Sequence, residues 1–134
     1  MGGFISLDVD HNKIDFYNKI EYENVECKVV QTIDSEKFII LIRDGWSIKK
    51  VLCRSYGYSV PDKSNEYTIF SKFNTLINQS NGILNAKIYG IDNSGYAVVR
   101  LYDSFRNYYI NSKMLLLSGV SPAEHYSYDG SLLV

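Results

Sequence analysis

The stretch KFIILIRDGWSIKKVLCRSYGYSVPD, residues 37–62, indicates a β-hairpin. A dense apolar run, KFIILIR, precedes the pair Asp44-Gly45, and a second run, IKKVLCRSY, follows it. Asp-Gly between two apolar runs is a strong hairpin signal, because these residues accept the backbone angles of a tight turn. Pro61 ends the returning strand, since proline has no N–H to donate to a sheet. The stretch therefore predicts two paired core strands.

The flanking segments predict three more strands and two helices. VECKVVQTI, residues 25–33, alternates loosely and is typical of a strand before the hairpin. A helix is expected at residues 65–80, because the apolar residues there recur at helical spacing: Ile69, Phe70, Phe73, Leu76 and Ile77. Its N-cap candidates are Ser64 and Asn65.

The second half repeats the hairpin signal. ILNAKIYGI and YAVVRLY read as strands joined by the turn DNSG, and NYYI as a further short strand. NSKMLLLSG predicts a final helix that is capped by Asn111 and stopped by Gly119. Three strands, a helix and two more strands is the succession of an oligonucleotide/oligosaccharide-binding (OB) barrel. We therefore expect a five-stranded β-barrel with two or three helices.

The chain length of 134 residues suits one domain, with segments at both ends that differ from the body. Residues 1–24 are expected to form an acidic arm, residues 25–120 the barrel, and residues 121–134 a tail that packs back on it. The first 36 residues carry eight acids against three lysines, whereas the remainder carries eleven basic residues against seven acids. The acidic segment can lie against the body or meet a basic partner. A dedicated nucleic-acid binder is usually far more basic.

The composition favours a reducing, cytoplasmic setting. The two cysteines, Cys27 and Cys53, lie in apolar runs and are expected to be buried free thiols. Neither a transmembrane run nor a secretory signal is visible. With no CxxC pair and two histidines, a structural zinc site is not expected.

Several short motifs resemble those of the staphylococcal-nuclease-like domains over about residues 26–120. These motifs are IDSEKF, RSYGYSVPD, DNSGYAVVRLY and INSKMLLLSGVS. Gly57, Pro61, Gly95, Asn111 and Gly119 fall where the family pattern places its own glycines, proline and asparagine. The resemblance implies an OB barrel that binds one divalent metal, usually Ca²⁺. It also implies cleavage of phosphodiesters with two arginines and a carboxylate base.

Only part of the family's site is kept in this sequence. By motif position Glu36 and Ser59 fall at the metal-ligand positions, and Ser59 lacks a carboxylate. The backbone carbonyl ligand would come from Val60, and the general base from Asp62.

Arg54 matches the first arginine of the family, but Tyr96 replaces the second, so no cation stands there. Arg100 lies four residues further along the same strand, too far to take over its role. For Arg54 two roles stay open: binding phosphate, or a structural ion pair with Asp62 or Glu36.

These losses favour a catalytically degenerate module that binds protein or itself, with no cofactor. A metal-dependent nuclease with a rearranged site, using Ca²⁺, and a non-cleaving nucleic-acid binder are the alternatives. Loss of one charge-stabilising donor commonly costs about a hundredfold or more in rate. The interface candidates are aromatic, because tyrosine and tryptophan commonly anchor protein contacts: Trp46, Tyr56, Tyr58 and Tyr109.

The start of the chain, MGGFIS, fits the signal for N-myristoylation on Gly2. The signal would require a eukaryotic or eukaryotic-virus host, and MGG can also be an expression scar. One myristoyl chain binds membranes marginally, so membrane association would need a partner or a second anchor.

Overall fold

A computed structural model describes residues 6–21 and 23–124 of the chain. Its helices are α1, Glu66–Asn78, and the short α2, Ile110–Met114, with 3₁₀ turns at His11–Lys13 and Lys63–Asn65. The strands are β1 Glu23–Thr32, β2 Lys37–Asp44, β3 Ser47–Ser55, β4 Tyr58–Ser59, β5 Ile83–Ile91, β6 Ala97–Asp103, β7 Tyr108–Tyr109 and β8 Ser121–Pro122.

Five of these strands close into a barrel. β1, β2 and β3 form an antiparallel meander, β5 pairs with β1, and β6 pairs with β5. The parallel pairing of Cys53–Ser55 in β3 with Ala97–Val99 in β6 closes the ring. This arrangement confirms the predicted five-stranded barrel with an OB-like order of strands.

Strand alternation explains which side chains fill the barrel. In β5 the residues Leu84, Ala86 and Ile88 are buried, whereas their neighbours Asn85 and Lys87 are half-exposed. Because successive side chains in a strand point to opposite faces, the polar neighbours lie on the outer face of the barrel. The predicted turn between β2 and β3 is also present. It contains Gly45 and Trp46, with the positive φ of 60° at Gly45 that a tight hairpin requires.

Helix α1 packs on the barrel through its apolar side. Ile69, Phe73, Leu76 and Ile77 are buried, as the helical spacing predicts, and Phe70 is half-buried. Phe73 lies beside Phe38 of β2 with ring centroids 5.7 Å apart. Burial of such side chains stabilises a fold by about 1.5–3 kcal/mol each, which fixes the helix against the barrel.

The prediction for the last helix is wrong in its details. Helix α2 ends at Met114, and its N-cap is Tyr109, which makes no side-chain cap hydrogen bond. Asn111 lies inside the helix and is buried, because its amide completes hydrogen bonds of neighbouring strands. Short polar side chains favour caps in isolation, but a buried partner overrides that preference.

The N-terminal segment meets β3 at Phe16 and Tyr17. Phe16 forms a parallel bridge with Lys50, and the N–H of Tyr17 donates to the carbonyl of Lys50 at 2.7 Å. Leu7 and Ile20 are buried. The segment thus covers part of a strand edge that β6 leaves unpaired, because β6 pairs with only the last three residues of β3.

At the other end, β8 pairs with β4, which places residues 121–122 beside the chain after β3. Residues 125–134, including most of the predicted tail, lie outside the described residues. Among the residues described, no helix is both long enough and apolar enough to cross a bilayer.

Candidate functional site at the barrel mouth

The parallel pairing of β3 with β6 brings residues from several strands together at one end of the barrel. Arg54 is next to last in β3 and pairs with Val98, while Asp92 and Tyr96 belong to the turn between β5 and β6. Glu36 and Lys37 stand at the start of β2, and Lys37 is the register partner of Arg54. We call Glu36, Lys37, Arg54, Asp92 and Tyr96 the mouth cluster.

Arg54 is held by a buried carboxylate. Its Nη1 lies 3.2 Å from Oδ2 of Asp92, whose side chain is 7% exposed. The contact is an ion pair without good alignment, since neither Oδ2 of Asp92 nor Nε of Arg54 has an aligned hydrogen-bond partner in the described structure. Of the two roles predicted for Arg54, the structure shows a structural ion pair. The predicted partners, Asp62 and Glu36, are wrong, because Asp92 occupies that place.

Asp92 also organises its own turn. Its Oδ1 accepts hydrogen bonds from the backbone N–H groups of Ser94 at 2.9 Å and Tyr96 at 3.0 Å. This carboxylate therefore binds the turn with one oxygen and faces Arg54 with the other.

Tyr96 covers the same arginine. Its ring centroid lies 5.1 Å from Cζ of Arg54 and 5.3 Å from Nζ of Lys37. At these distances the face of a ring attracts both cations without neutralising them. The position that carries a second arginine in the resembling family thus holds a neutral ring packed on the first.

Glu36 is engaged by its own chain. The N–H of Val60 donates to Oε2 at 3.3 Å, and Nζ of Lys63 lies 3.9 Å from the same oxygen. Burial raises the pKa of Glu36 above its usual value, against the opposing effects of Val60, Lys63 and Arg54. The contact uses the N–H of Val60, whereas the motif positions assign a role to its carbonyl, and that role stays a prediction.

The remaining predicted residues have other partners than Arg54. Ser59 pairs with Ser121 between β4 and β8, and the exposed Asp62 caps the following 3₁₀ turn. Oδ1 of Asp62 accepts from the N–H of Ser64 at 3.0 Å, and that hydrogen bond lowers the pKa of Asp62. Asp62 therefore serves as the N-cap of that turn, and its role as general base stays a prediction.

The carboxylates near the mouth are engaged by the chain's own N–H groups. Oδ1 of Asp34 accepts from the N–H groups of Glu36 and Lys37, both at 2.8 Å, and Glu36 is held as described. Residues 6–21 and 23–124 contain no group of three or more histidine, cysteine or acidic side chains placed to hold a metal ion. One oxygen each of Asp34 and Glu36 accepts hydrogen bonds from the chain, and Ser59 has no carboxylate, so the side chains present offer few of the six to eight oxygens that Ca²⁺ takes.

The four predicted interface residues have very different exposures. Trp46 is 77% exposed at the hairpin tip, whereas Tyr58 is fully buried. Tyr56 and Tyr109 are half-buried and belong to one outer face of the barrel. The prediction for Tyr58 is wrong. Its hydroxyl donates to the carbonyl of Ser35 at 2.6 Å inside the core, so it cannot anchor a partner. Gly2 lies outside the described residues.

Sequence reasoning missed Asp92 and the roles of Ser35 and Glu66. Ser35 is fully buried, and both its N–H and its hydroxyl donate to the carboxylate of Glu66, at 2.9 and 2.6 Å. Asp92 heads the Asp-Asn-Ser-Gly turn, and this was the one available signal, because aspartate there commonly accepts from N–H groups two residues on. Asp92 and Arg54 are 38 residues apart in the sequence, so no local sequence pattern predicts their ion pair.

The chain was also compared with known proteins. It matches no model of a known protein family, and its sequence matches no curated protein significantly. The OB-like barrel is established by its strand pairing, and the resemblance to the staphylococcal-nuclease-like domains remains a hypothesis about ancestry.

Proposed function

We propose that the domain has a staphylococcal-nuclease-like barrel whose cleavage site is lost, and that it works as a non-catalytic, protein-binding module. The observation that carries the proposal is the ion pair between Arg54 and Asp92 at 3.2 Å. A phosphodiesterase needs fixed positive charge where the phosphorane develops. Here the arginine best placed to supply that charge faces a buried carboxylate instead.

The charges around it also balance. Three carboxylates lie beside three cations in ion pairs that join Asp34 to Lys37, Arg54 to Asp92 and Glu36 to Lys63. With a cation beside each carboxylate, this cluster leaves no excess positive charge for a substrate phosphate.

Trp46 supports a protein-binding role. Its side chain is 77% exposed in a two-residue turn, and it is the single tryptophan of the chain. Tryptophan is enriched at the energetic centres of interfaces because it buries a large area with few rotatable bonds. A second copy of the chain is the first partner to test, because self-association needs no other component.

The first experiment is a digestion assay with purified protein, single- and double-stranded DNA, and Ca²⁺. We expect no cleavage above background by the wild type or by Glu36→Gln. Calcium-dependent cleavage that Glu36→Gln abolishes would contradict the loss of the nuclease site and restore the alternative of a rearranged nuclease.

The second experiment follows Trp46 itself. Since no other tryptophan contributes, its emission reports on its own environment. A blue shift with rising protein concentration is expected, together with dimer formation in analytical ultracentrifugation. Trp46→Ser should remove the dimer, and Phe105→Ser, at an even more exposed aromatic position elsewhere, should leave it. A strict monomer at all concentrations would exclude a second copy as partner.

A further inference from the structure

A second cluster of basic and aromatic side chains lies on the outer face of the barrel, beside the mouth cluster. It combines residues of β5, β6 and β7 with one residue that follows β3. We call it the side face: Tyr56, Lys87, Tyr89, Arg100, Tyr102 and Tyr109.

The strand register places two like charges directly opposite each other. Lys87 of β5 is the register partner of Arg100 in β6, and both side chains are half-exposed. Like charges at such a position destabilise a sheet. Within the described part of the chain, neither forms a salt bridge with a carboxylate. The nearby acid of β1, Glu26, is paired with Arg43 at 2.9 Å.

Tyrosine rings hold these cations in place while leaving their charge intact. Cζ of Arg100 lies 4.6 Å from the ring centroid of Tyr56 and 5.1 Å from that of Tyr109. Nζ of Lys87 lies 5.4 Å from the ring of Tyr89, which is stacked on Tyr56 at 4.5 Å. Burial raises the pKa of Tyr89, so its hydroxyl stays neutral. The side face is therefore a preorganised positive site with aromatic walls.

The side face contains an open pocket of about 370 Å³. A separate pocket of about 440 Å³ lies beside α1. The lining of the side-face pocket consists of Asn24, Asn85, Lys87, Tyr102 and Tyr109. The two tyrosine rings meet edge to face at 5.0 Å. The volume is within the range of about 300–1,000 Å³ that small-molecule sites occupy.

The chemistry of this pocket matches one nucleotide of a single strand. Lysine and arginine bind phosphate oxygens, tyrosine rings stack on bases, and asparagine amides can donate to and accept from base edges. A phosphoserine peptide brings no aromatic ring, whereas a nucleotide combines a phosphate for the cations, a base for the rings and base edges for the amides. We propose that the side face binds single-stranded nucleic acid, with one nucleotide in the pocket and its phosphate at Lys87 and Arg100.

This inference goes beyond the proposed protein-binding role, which rests on the mouth cluster and on Trp46. The side face adjoins the mouth cluster, because Val98, the register partner of Arg54, packs with Tyr89 and Tyr56. The two proposals nevertheless rest on different side chains and different measurements. The two proposals can therefore fail separately.

The test is fluorescence anisotropy with labelled oligo(dT) and oligo(U) of about 12 nucleotides, a length that one OB barrel can cover. The wild type should bind both strands, more weakly as salt rises from about 50 to about 200 mM. Lys87→Gln and Arg100→Gln should each raise Kd about fivefold or more and reduce the salt slope by about 0.7. Tyr102→Ala should raise Kd about tenfold by removing a stacking partner.

Two matched controls each remove one charge elsewhere: Lys63→Gln at the mouth and Lys72→Gln on the exposed side of α1. Both controls should bind with a Kd within about twofold of the wild type if the losses come from the side face itself and do not follow from a lower net charge. Circular dichroism of every variant should match the wild type. Three outcomes would overturn the proposal: no binding by the wild type, equal losses in the controls, or preference for a duplex of the same sequence. Binding of a phosphotyrosine peptide without binding of the oligonucleotides would also overturn it.

Discussion

The mouth cluster and the side face each contain an arginine on a barrel strand, but the two arginines have different surroundings. Arg54 lies 3.2 Å from the buried carboxylate of Asp92, whereas Arg100 lies among tyrosine rings and opposite Lys87. Ion pairing cancels the charge of the first, and cation–π contacts orient the second without cancelling its charge. The difference teaches that the partner of an arginine, more than its place in a motif, decides whether it can bind an anion.

The largest effect expected concerns Asp92. Asp92→Ala removes the counter-charge of Arg54 and the acceptor for two backbone N–H groups of the turn. We expect a loss of about 3 kcal/mol in the free energy of unfolding. This loss is at the lower end of the range for removing one partner of a buried ion pair, because the side chain of Arg54 is 28% exposed and solvent screens its charge. Urea denaturation measures the change.

Asp92→Asn serves as the matched variant, because it keeps an oxygen for the turn and removes only the charge. A loss of about 1–2 kcal/mol is expected, smaller than that of the alanine variant. If both variants are as stable as the wild type, Arg54 does not depend on Asp92 and the contrast between the two arginines disappears.

The two clusters also differ in how far the sequence could predict them. The hairpin around Gly45, the apolar stripe of α1 and the turn at Asp92–Gly95 follow from local patterns of two to four residues, and the structure contains all three. Such patterns work because turn geometry and helix spacing depend on neighbours in sequence.

The partners of Arg54 and Arg100 could not be predicted in this way. Asp92 meets Arg54 only because β3 and β6 close the barrel. The register of β5 with β6 shifts between Ile88 and Gly90, so counting back from the hairpin turn does not give the pairing of Lys87 with Arg100. Tyr56 and Tyr58 flank one glycine, yet the first contributes to the side face and the second is buried, a difference set by tertiary packing.

The next effect in size concerns Asn111, which connects the side face to the barrel core. Its Oδ1 accepts from the N–H of Leu101 at 2.9 Å, and its Nδ2 donates to the carbonyl of Tyr56 at 2.9 Å. Asn111→Ala leaves these buried groups unpaired and should lower the free energy of unfolding by about 2 kcal/mol. Thermal denaturation measures it, with the exposed Asn78→Ala as control, expected within about 0.5 kcal/mol of the wild type. Equal stabilities for the two variants would show that water replaces the amide.

A smaller effect is expected for Glu36 at the mouth, and it depends on pH. Burial raises the folded-state pKa of Glu36, so the folded protein holds this proton to a higher pH than the unfolded chain does. Raising the pH through the window above the unfolded value of about 4.5 therefore subtracts stability from the wild type. Glu36→Gln has no such group to ionise, so its stability relative to the wild type should increase with pH across that window and level off above it.

The measurement is the melting temperature of both proteins across this range of pH. Asp62→Asn is the control with the opposite sign, because a hydrogen bond lowers the pKa of Asp62 and favours its charged form in the folded state. Its stability relative to the wild type should fall slightly as pH rises. If the wild type instead became more stable relative to Glu36→Gln as pH rises, the favourable interactions of Glu36 with Lys63, Val60 and Arg54 would outweigh the cost of burying its charge.

The smallest effect is on the side face, and it tests the cost of keeping two like charges there. Lys87→Gln removes the charge opposite Arg100, so the variant should be more stable than the wild type by about 0.2–1 kcal/mol at low ionic strength. The gain should shrink in about 1 M salt, where the Debye length is about 3 Å and the repulsion is screened. Lys63→Gln should show the reverse, because it removes the attractive partner of Glu36 at 3.9 Å. Lys87→Gln could instead be less stable than the wild type at every salt concentration. The contact of Lys87 with Tyr89 would then outweigh the repulsion between Lys87 and Arg100, and a bound anion would gain nothing by reducing that repulsion.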